Sequence, residues 1–263
     1  MLQLHYREYG EPDPARPSLC LLHGLFGSGI NWHGIARRLE RDWHLVVPDL
    51  RNHGRSPHDP QMDYPAMAED VLGLMDRLGL GRFVPVGHSM GGKVAMTLAL
   101  QWGERVAALA VADIAPVRYA HDFSAVFAAF HAVPLARLAR RAEADAYMAR
   151  HVSDPAVRQY LLQNLVQDRD GWHWRLNLPV LERSIAAIGD WPLSCTPPWP
   201  GPVLFLRGER SDYIRLEHEP RIHACFPQAR IETLPGVGHW VYAEDPEGFV
   251  SRLRGFLDEA IVS

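Results

Sequence analysis

Short apolar segments alternate with longer amphipathic segments through most of this 263-residue chain, and this alternation restricts the fold more than any other feature. The apolar segments have the length and composition of buried β-strands and are Ser18–Leu22, His44–Val47, Arg82–Val86, Val106–Ala112, Val203–Leu206 and Arg230–Leu234. Segments that alternate in this way form βα units around a mostly parallel sheet. The pattern therefore predicts an α/β fold with helices flanking a mostly parallel central sheet.

The segments between the predicted strands have helical signatures. Tyr64–Leu78 places apolar residues three and four positions apart, and Gly79 follows as a stop signal. Met90–Trp102 is apolar around most of its circumference, which predicts a helix buried against the sheet. We predict a last helix from about Pro246.

The alternation breaks between residues 116 and 200, where we find helical patterns and no convincing strand of sheet length. One helical face consists of Val157, Leu161 and Leu165, behind an Asp154 or Ser153 cap. A proline-rich stretch near residue 200 is typical of a stiff linker. We therefore predict a core formed by residues 1–115 and 201–263 and a helical insertion at 116–200 that lies over the sheet.

Composition and charge exclude several classes of protein. A total of 27 Lys and Arg against 31 Asp and Glu gives a net charge of −4, whereas nucleic-acid binders carry a basic excess. No uncharged apolar run approaches the ~18 residues of a membrane span, and the N-terminus does not resemble a signal peptide. Cys20, Cys195 and Cys225 are few and far apart, which favours unpaired thiols in a reduced compartment and no zinc site. We expect a cytoplasmic protein.

Gly87–Gly91 reads GHSMG and matches the pattern G-x-S-x-G directly between a predicted strand and a predicted helix. A serine on so sharp a turn has a strained backbone, and side chains two positions away would collide with it, so both outer positions are glycine. Ser89 is therefore a candidate nucleophile. A rival interpretation is a phosphate-binding loop ending at Gly92 and Lys93, but the next residue, Val94, has no hydroxyl for Mg²⁺.

A serine hydroxyl needs a base within hydrogen-bond reach. His239 is the best candidate, because it lies in a glycine-rich loop between the last predicted strand and the last helix, at the carboxyl edge of the sheet. His88 is a neighbour of the nucleophile rather than its base. The spacing of His218 and His223 is one residue too long for a zinc-binding H-E-x-x-H motif, and we assign no metal.

A developing oxyanion needs two backbone N–H donors. Met90, the residue after the candidate nucleophile, supplies one. The second should come from the glycine-rich loop after the Ser18–Leu22 strand, where we choose Leu25 and keep Phe26 as the alternative.

Together these motifs resemble the α/β-hydrolase superfamily. Longer strings resemble a subgroup of small bacterial esterases with mitochondrial lipase-like relatives, and they are Asp49–Pro57, Met62–Ala68, Gly87–Lys93, Asp113–Val117 and Gly238–Val241. The resemblance implies a helical cap inserted after the sixth strand, no metal or organic cofactor, and acyl esters or acyl thioesters, including acyl-CoA, as substrates.

The acid that orients His239 has two candidates. In most members of the superfamily it lies three residues past the glycine that here is Gly208, a position occupied by Ser211, with Asp212 one residue later. The subgroup resemblance points instead to Asp113, at the end of the Val106–Ala112 strand. We favour Asp113 because its surrounding string matches intact, and we keep Asp212 as the alternative.

The predicted function is a serine hydrolase that cleaves carboxylic esters or acyl thioesters through an acyl-enzyme on Ser89. The alternatives are another serine α/β-hydrolase activity, such as C–C bond hydrolysis or acyl transfer, and a non-catalytic scaffold that binds a ligand. The expected partner is a small-molecule substrate, with no nucleic acid and no membrane span. The oligomeric state stays open.

Overall fold

The computed structural model describes residues 1–261 and contains a seven-stranded sheet with helices on both faces. The strands of this sheet are β1 (Tyr6–Tyr9), β2 (Ser18–Leu22), β3 (Leu45–Pro48), β4 (Phe83–His88), β5 (Leu109–Ala112), β8 (Val203–Gly208) and β9 (Ala229–Leu234). Two further strands, β6 (Leu165–Asp168) and β7 (Gly171–Trp174), form a separate antiparallel hairpin. The sheet order is β1-β3-β2-β4-β5-β8-β9.

All pairings in the main sheet are parallel except that of β1 with β3. The predicted mostly parallel α/β sheet is therefore confirmed, and each of the six predicted strands forms with small differences at its ends. The sequence did not predict β1. Its residues are half-buried or exposed at the edge of the sheet, so they lack the continuous apolar character of a central parallel strand.

The helices occupy the segments between strands. They are α1 (His33–Leu39), α2 (Tyr64–Arg77), α3 (Met90–Gln101), α4 (Ser124–His131), α5 (Arg141–Met148), α6 (Pro155–Leu162), α7 (Leu178–Gly189), α8 (Glu219–Cys225), α9 (Val241–Glu244) and α10 (Pro246–Ile261). Side-chain caps fix two of the N-termini. Asp63 accepts a hydrogen bond from the Ala66 amide at 2.9 Å in α2, and Asp154 accepts one from the Ala156 amide at 2.8 Å in α6.

The core lies on both faces of the sheet. Alternate residues of β2 point in opposite directions: Cys20 and Leu22 join the cluster that includes α2 and α3, whereas Leu19 and Leu21 join the cluster that includes α1 and α10. Every residue of β2 is buried, as expected for a central parallel strand covered on both sides. This packing holds the carboxyl ends of the strands at one rigid edge.

Residues 116–200 contain α4 to α7 and lie against that edge. The Tyr160 hydroxyl donates to the Leu25 carbonyl at 2.9 Å, and the side-chain Nδ2 atom of Asn164 donates to the Phe26 carbonyl at 2.8 Å. The prediction that this segment has no strand of sheet length is wrong, because the β6–β7 hairpin forms within it across a turn at residues 169 and 170, and Gly171, with a φ of 110°, begins β7. Its division from the rest of the chain as a separate cap stays a prediction.

The insertion follows the fifth strand along the chain, not the sixth as predicted. Residues 1–115, all of which the structure describes, contain five strands, β1 to β5, and the segments between these strands are helices and loops.

The expectation of unpaired cysteines is wrong for one pair. Cys195 and Cys225 form a disulfide with their Cα atoms 4.4 Å apart, while Cys20 is free and buried in β2. The pairing arises because the proline-rich segment before β8 folds back onto the end of α8, where the Trp199 amide donates to the Cys225 carbonyl at 2.9 Å. Cytoplasmic location stays a prediction, and the disulfide removes the cysteine argument for it.

Within residues 1–261, every helix is too short or too polar to cross a bilayer.

Candidate active site

Ser89 lies at the turn between β4 and α3 with φ 52° and ψ −119°, a conformation that costs energy for a residue with a side chain. The glycines around it are required by close packing. A Cβ atom on Gly87 would lie 2.1 Å from the Gly91 carbonyl oxygen, and one on Gly91 would lie 2.3 Å from the Leu22 carbonyl oxygen. The structure thus has the close packing that the sequence predicted at these two glycines.

Asp113 is the acidic residue that the structure brings to His239. The His239 Nδ1 atom lies 2.7 Å from Asp113 Oδ2, and the carboxylate is fully buried at the end of β5. Asp113 follows β5 directly and has a φ of 51°, in the left-handed region. Its other oxygen accepts a hydrogen bond from the Gly208 amide at 3.1 Å. This carboxylate can hold the imidazole with its Nε2 atom free to accept a proton.

Asp212, the alternative acid, points away from this centre. Its side chain is 90% exposed, and its ion pair is with Arg215 at 3.8 Å. Ser211, the residue before it, reaches the centre instead, because its hydroxyl donates a hydrogen bond to Asp113 Oδ2. The loop after β8 therefore contributes a hydroxyl where most members of the resembled superfamily contribute a carboxylate.

His88 and Tyr213 also position His239, and sequence reasoning did not assign them this role. The His88 Nε2 atom donates to the His239 backbone carbonyl at 2.9 Å. The Tyr213 ring stacks on the His239 ring with 3.8 Å between centroids. His88 was recognisable only as a neighbour of Ser89, because its partner lies 151 residues further along the chain.

Burial changes the acid–base properties of the pair. Desolvation, with a smaller contribution from His121, lowers the pKa of His239 to about 3. Desolvation raises the pKa of Asp113 to about 6, against the opposing effect of the hydrogen bond from Ser211. Both shifts favour a neutral imidazole near pH 7, which is the form that can act as a base.

The candidate oxyanion donors lie beside Ser89. Leu25 and Met90 line the same small cavity as Ser89. Met90 is the first residue of α3, where backbone N–H groups have no partner within the helix. The Phe26 amide, the alternative donor, already donates to His53 Nε2 at 3.2 Å. The geometry therefore favours Leu25 over Phe26.

The cavity beside Ser89 has a volume of about 40 Å³ and is lined on the side of the insertion by Ile188 and Gly189. Lys93, one helical turn after Ser89, is buried under the cavity. Its Nζ atom donates to the carbonyls of Gly189 at 2.9 Å and Asp190 at 2.8 Å. Desolvation lowers the pKa of Lys93 to about 7.

Aromatic rings of the insertion pack beside this centre. The Phe123, Phe127 and Phe130 rings surround the Phe26 ring, and Phe123 also lines the cavity beside Ser89. In the part of the chain that the structure describes, no group of three or more His, Cys, Asp or Glu side chains is arranged to hold a metal ion.

Comparison with known proteins gives the family. A family profile described as the alpha/beta hydrolase fold matches residues 17–246. The chain belongs to the α/β-hydrolase family. The resemblance inferred from the sequence motifs is thereby confirmed.

This α/β hydrolase is similar to proteins named as esterases and lipases. It is 41% identical to sn-1-specific diacylglycerol lipase ABHD11 of Xenopus laevis, over 93% of this chain and 80% of that protein. It is 40% identical to esterase YbfF of Escherichia coli strain K12, over 92% of this chain and 93% of that protein. A solved structure titled "Marine microorganism esterase" superposes with a TM-score of 0.92 and 36% identity, covering 97% of this chain and all of that one.

Proposed function

We propose that this α/β hydrolase cleaves carboxylic esters through an acyl-enzyme formed on Ser89. The observation that carries the proposal is the 2.7 Å contact between His239 Nδ1 and buried Asp113 Oδ2, at the same sheet edge as the strained turn of Ser89. Such a contact is the orienting half of a nucleophile–base–acid arrangement. The relatives named esterase and lipase confirm the enzyme class, a carboxylic ester hydrolase.

The proposed reaction has two halves. Ser89 Oγ attacks the ester carbonyl carbon while His239 Nε2 takes the hydroxyl proton, and the amides of Leu25 and Met90 stabilise the oxyanion. The tetrahedral intermediate collapses, the bond to the alcohol breaks, and His239 returns the proton to the leaving oxygen. Water then attacks the acyl-enzyme with His239 again as base, which releases the acid and regenerates Ser89.

The substrate in this proposal is a small acyl ester. Acyl thioesters can react in the same way, with sulfur instead of oxygen as the leaving atom. Asp113 keeps the proton of His239 on Nδ1 and stabilises the imidazolium that forms. Asp212 has no part in these steps. We propose no metal or organic cofactor, because each step uses only side chains and amides of this chain.

The test is the hydrolysis of p-nitrophenyl acetate by Ser89→Ala, with Ser153→Ala as the matched control because Ser153 is an exposed serine of the insertion. We expect Ser89→Ala to lose almost all activity and Ser153→Ala to keep it. A fluorophosphonate should add its phosphonyl mass to the peptide that contains Ser89.

Four outcomes would contradict the proposal. Full turnover by Ser89→Ala would remove the nucleophile. Ligand binding without turnover across a panel of esters and thioesters would indicate a non-catalytic scaffold. Transfer of the acyl group to an added alcohol in preference to water, or cleavage of a C–C bond without ester hydrolysis, would indicate a different serine α/β-hydrolase activity.

A further inference from the structure

A second, larger cavity lies between the core and the insertion. Its volume is about 780 Å³, against about 40 Å³ for the cavity at Ser89. One side is formed by β1 and the loop after β3, and the other by α6 and the residue after β7. We call it the arginine cleft, because Arg7, Arg55 and Arg175 line it.

The three guanidinium groups of the arginine cleft have no hydrogen-bond or ion-pair partner among the described residues. Other arginines near the insertion are paired: Arg51 contacts Asp70 at 2.8 Å, and Arg158 contacts Asp145 at 2.8 Å. Burial first, and then the charge of Arg55, lowers the pKa of Arg175; the charge of Asp49 opposes this shift, and that of Arg7 adds to it. The charges of Arg55 and Arg7 therefore both act on Arg175.

The charge of Asp49 acts on Arg175, but the carboxylates that line the cleft direct their hydrogen bonds and ion pairs to other groups. Asp49 is buried, and its oxygens accept from the Gly29 amide at 2.7 Å, the Arg55 amide at 2.8 Å and His5 Nδ1 at 3.1 Å. Glu244 accepts from the Gly238 amide at 2.8 Å. Its other contact is Arg210, outside the three arginines, at 3.2 Å. The hydrogen-bonding capacity of the guanidinium groups is left for a ligand.

The cleft ends against both loops of the candidate active site. Tyr160 and Trp240 line it, with 5.6 Å between their ring centroids. The Tyr160 hydroxyl donates to the carbonyl of Leu25, the candidate oxyanion residue, and Trp240 directly follows His239. These contacts join the wall of the cleft to the two loops that carry Leu25 and His239.

We propose that the arginine cleft binds a phosphate-bearing group carried by the leaving group of the substrate. Guanidinium groups bind phosphate through paired N–H donors and keep their charge at all physiological pH values, so three unpaired ones around a wide cavity suit a dianionic group. This inference rests on the proposed ester hydrolysis for the position of the leaving group. Phosphate binding by itself does not depend on it.

The first experiment measures binding without catalysis. Inorganic pyrophosphate is titrated by calorimetry into the full chain, into Arg7→Gln/Arg175→Gln, and into Arg41→Gln as a control. Arg41 is an exposed arginine that does not line the cleft. We expect the double variant to bind at least about 10-fold more weakly, because charge-assisted hydrogen bonds are lost, and the control to bind like the wild type. Equal affinity in all three proteins would overturn the site.

The second experiment identifies the source of the phosphate. The substrates are monoacetate esters of alkanediols of graded length, each compared with its terminal phosphate. We expect the phosphate to raise kcat/KM about 10-fold or more once the spacer reaches the cleft, and the double variant to lose this gain. kcat for neutral p-nitrophenyl acetate should stay unchanged in all variants.

The outcomes separate the two proposals. No gain from phosphate at any spacer length, with pyrophosphate binding intact, would overturn the leaving-group assignment and indicate a separate phosphate ligand. No hydrolysis of any acetate by the wild type would overturn the proposed function, while calorimetry would still decide the cleft. Melting temperatures of the variants verify that each is folded.

Discussion

The hydroxyl of Ser211 donates a hydrogen bond to Asp113 Oδ2, the same carboxylate oxygen that lies 2.7 Å from His239 Nδ1. This hydrogen bond joins two elements of the sheet edge: the end of β5 supplies the carboxylate, and the loop after β8 supplies the hydroxyl. The loop after β8 cannot also supply the acid in this arrangement, because Asp212 points to solvent.

The assignment of the acid predicts opposite results for two equivalent substitutions. Asp113→Asn leaves the shape intact but lets the imidazole take the wrong tautomer, so kcat for p-nitrophenyl acetate should fall by about 10⁴-fold. Asp212→Asn changes an exposed side chain, and kcat should stay at the wild-type level. A loss of kcat confined to Asp212→Asn would show that Asp212, and not Asp113, orients His239.

The pKa shifts of the Asp113–His239 pair predict the acid side of the pH profile. As the pH falls, the pair takes up a proton and can no longer accept one from Ser89, so kcat/KM falls. Since the pKa of Asp113 is raised to about 6 and that of His239 is lowered to about 3, the midpoint should lie below the ordinary pKa of histidine, about 6.5. We expect full kcat/KM at pH 7. A midpoint above 6.5 would contradict the burial argument.

Ser211→Ala provides a variant for the same measurement. It removes a hydrogen bond that lowers the pKa of Asp113, so the acid midpoint should move to higher pH while the enzyme stays active near pH 8. If Ser211 had only a packing role, the midpoint would stay where it is in the wild type.

The size of the cavity beside Ser89 predicts a preference for short acyl groups. About 40 Å³ is close to the space of one water molecule, so acetyl esters should have a higher kcat/KM than octanoyl esters. Ile188→Ala should shift the preference toward longer chains, because Ile188 lines the cavity. Leu216→Ala, at a residue 74% exposed, is the control and should change nothing. Faster hydrolysis of octanoyl esters by the wild type would mean that the insertion moves away on binding.

Local patterns predicted most of the sheet and the turn of Ser89. The spacing of Gly87, Ser89 and Gly91 and the strand before them are contained in a few consecutive residues, so the conformation follows from sterics. His239 was recognisable from its glycine-rich loop and its place after the last strand. The candidate oxyanion donor Leu25 followed from the equivalent loop after β2.

Features that depend on distant partners could not be predicted in the same way. The hydrogen bond from His88 to the His239 carbonyl and the contact of Ser211 with Asp113 join segments 151 and 98 positions apart. The choice between Asp113 and Asp212 likewise depended on side-chain direction at two strand ends, which periodicity does not contain. The Cys195–Cys225 disulfide requires the path of the proline-rich segment, which has no periodic pattern.

Lys93 is the only lysine of the chain, and its burial predicts how stability changes with pH. Because the pKa of Lys93 is lowered to about 7 in the folded state, the unfolded chain binds more protons between pH 7 and about 10.4. The free energy of unfolding should therefore gain up to about 1.4 kcal/mol per pH unit from this group as the pH rises above 7.

Lys93→Met lacks this proton and leaves the carbonyls of Gly189 and Asp190 without their donor, which should cost about 1–3 kcal/mol. Urea unfolding of both proteins at pH 7, 8 and 9 isolates the effect, since the difference between them should grow with pH in favour of the wild type. The Nζ resonance of ¹⁵N-labelled lysine, a single signal in this chain, reports the same titration in the folded state. A midpoint near 10 would contradict the predicted pH dependence, because a lysine that stays protonated to that pH adds no slope above pH 7.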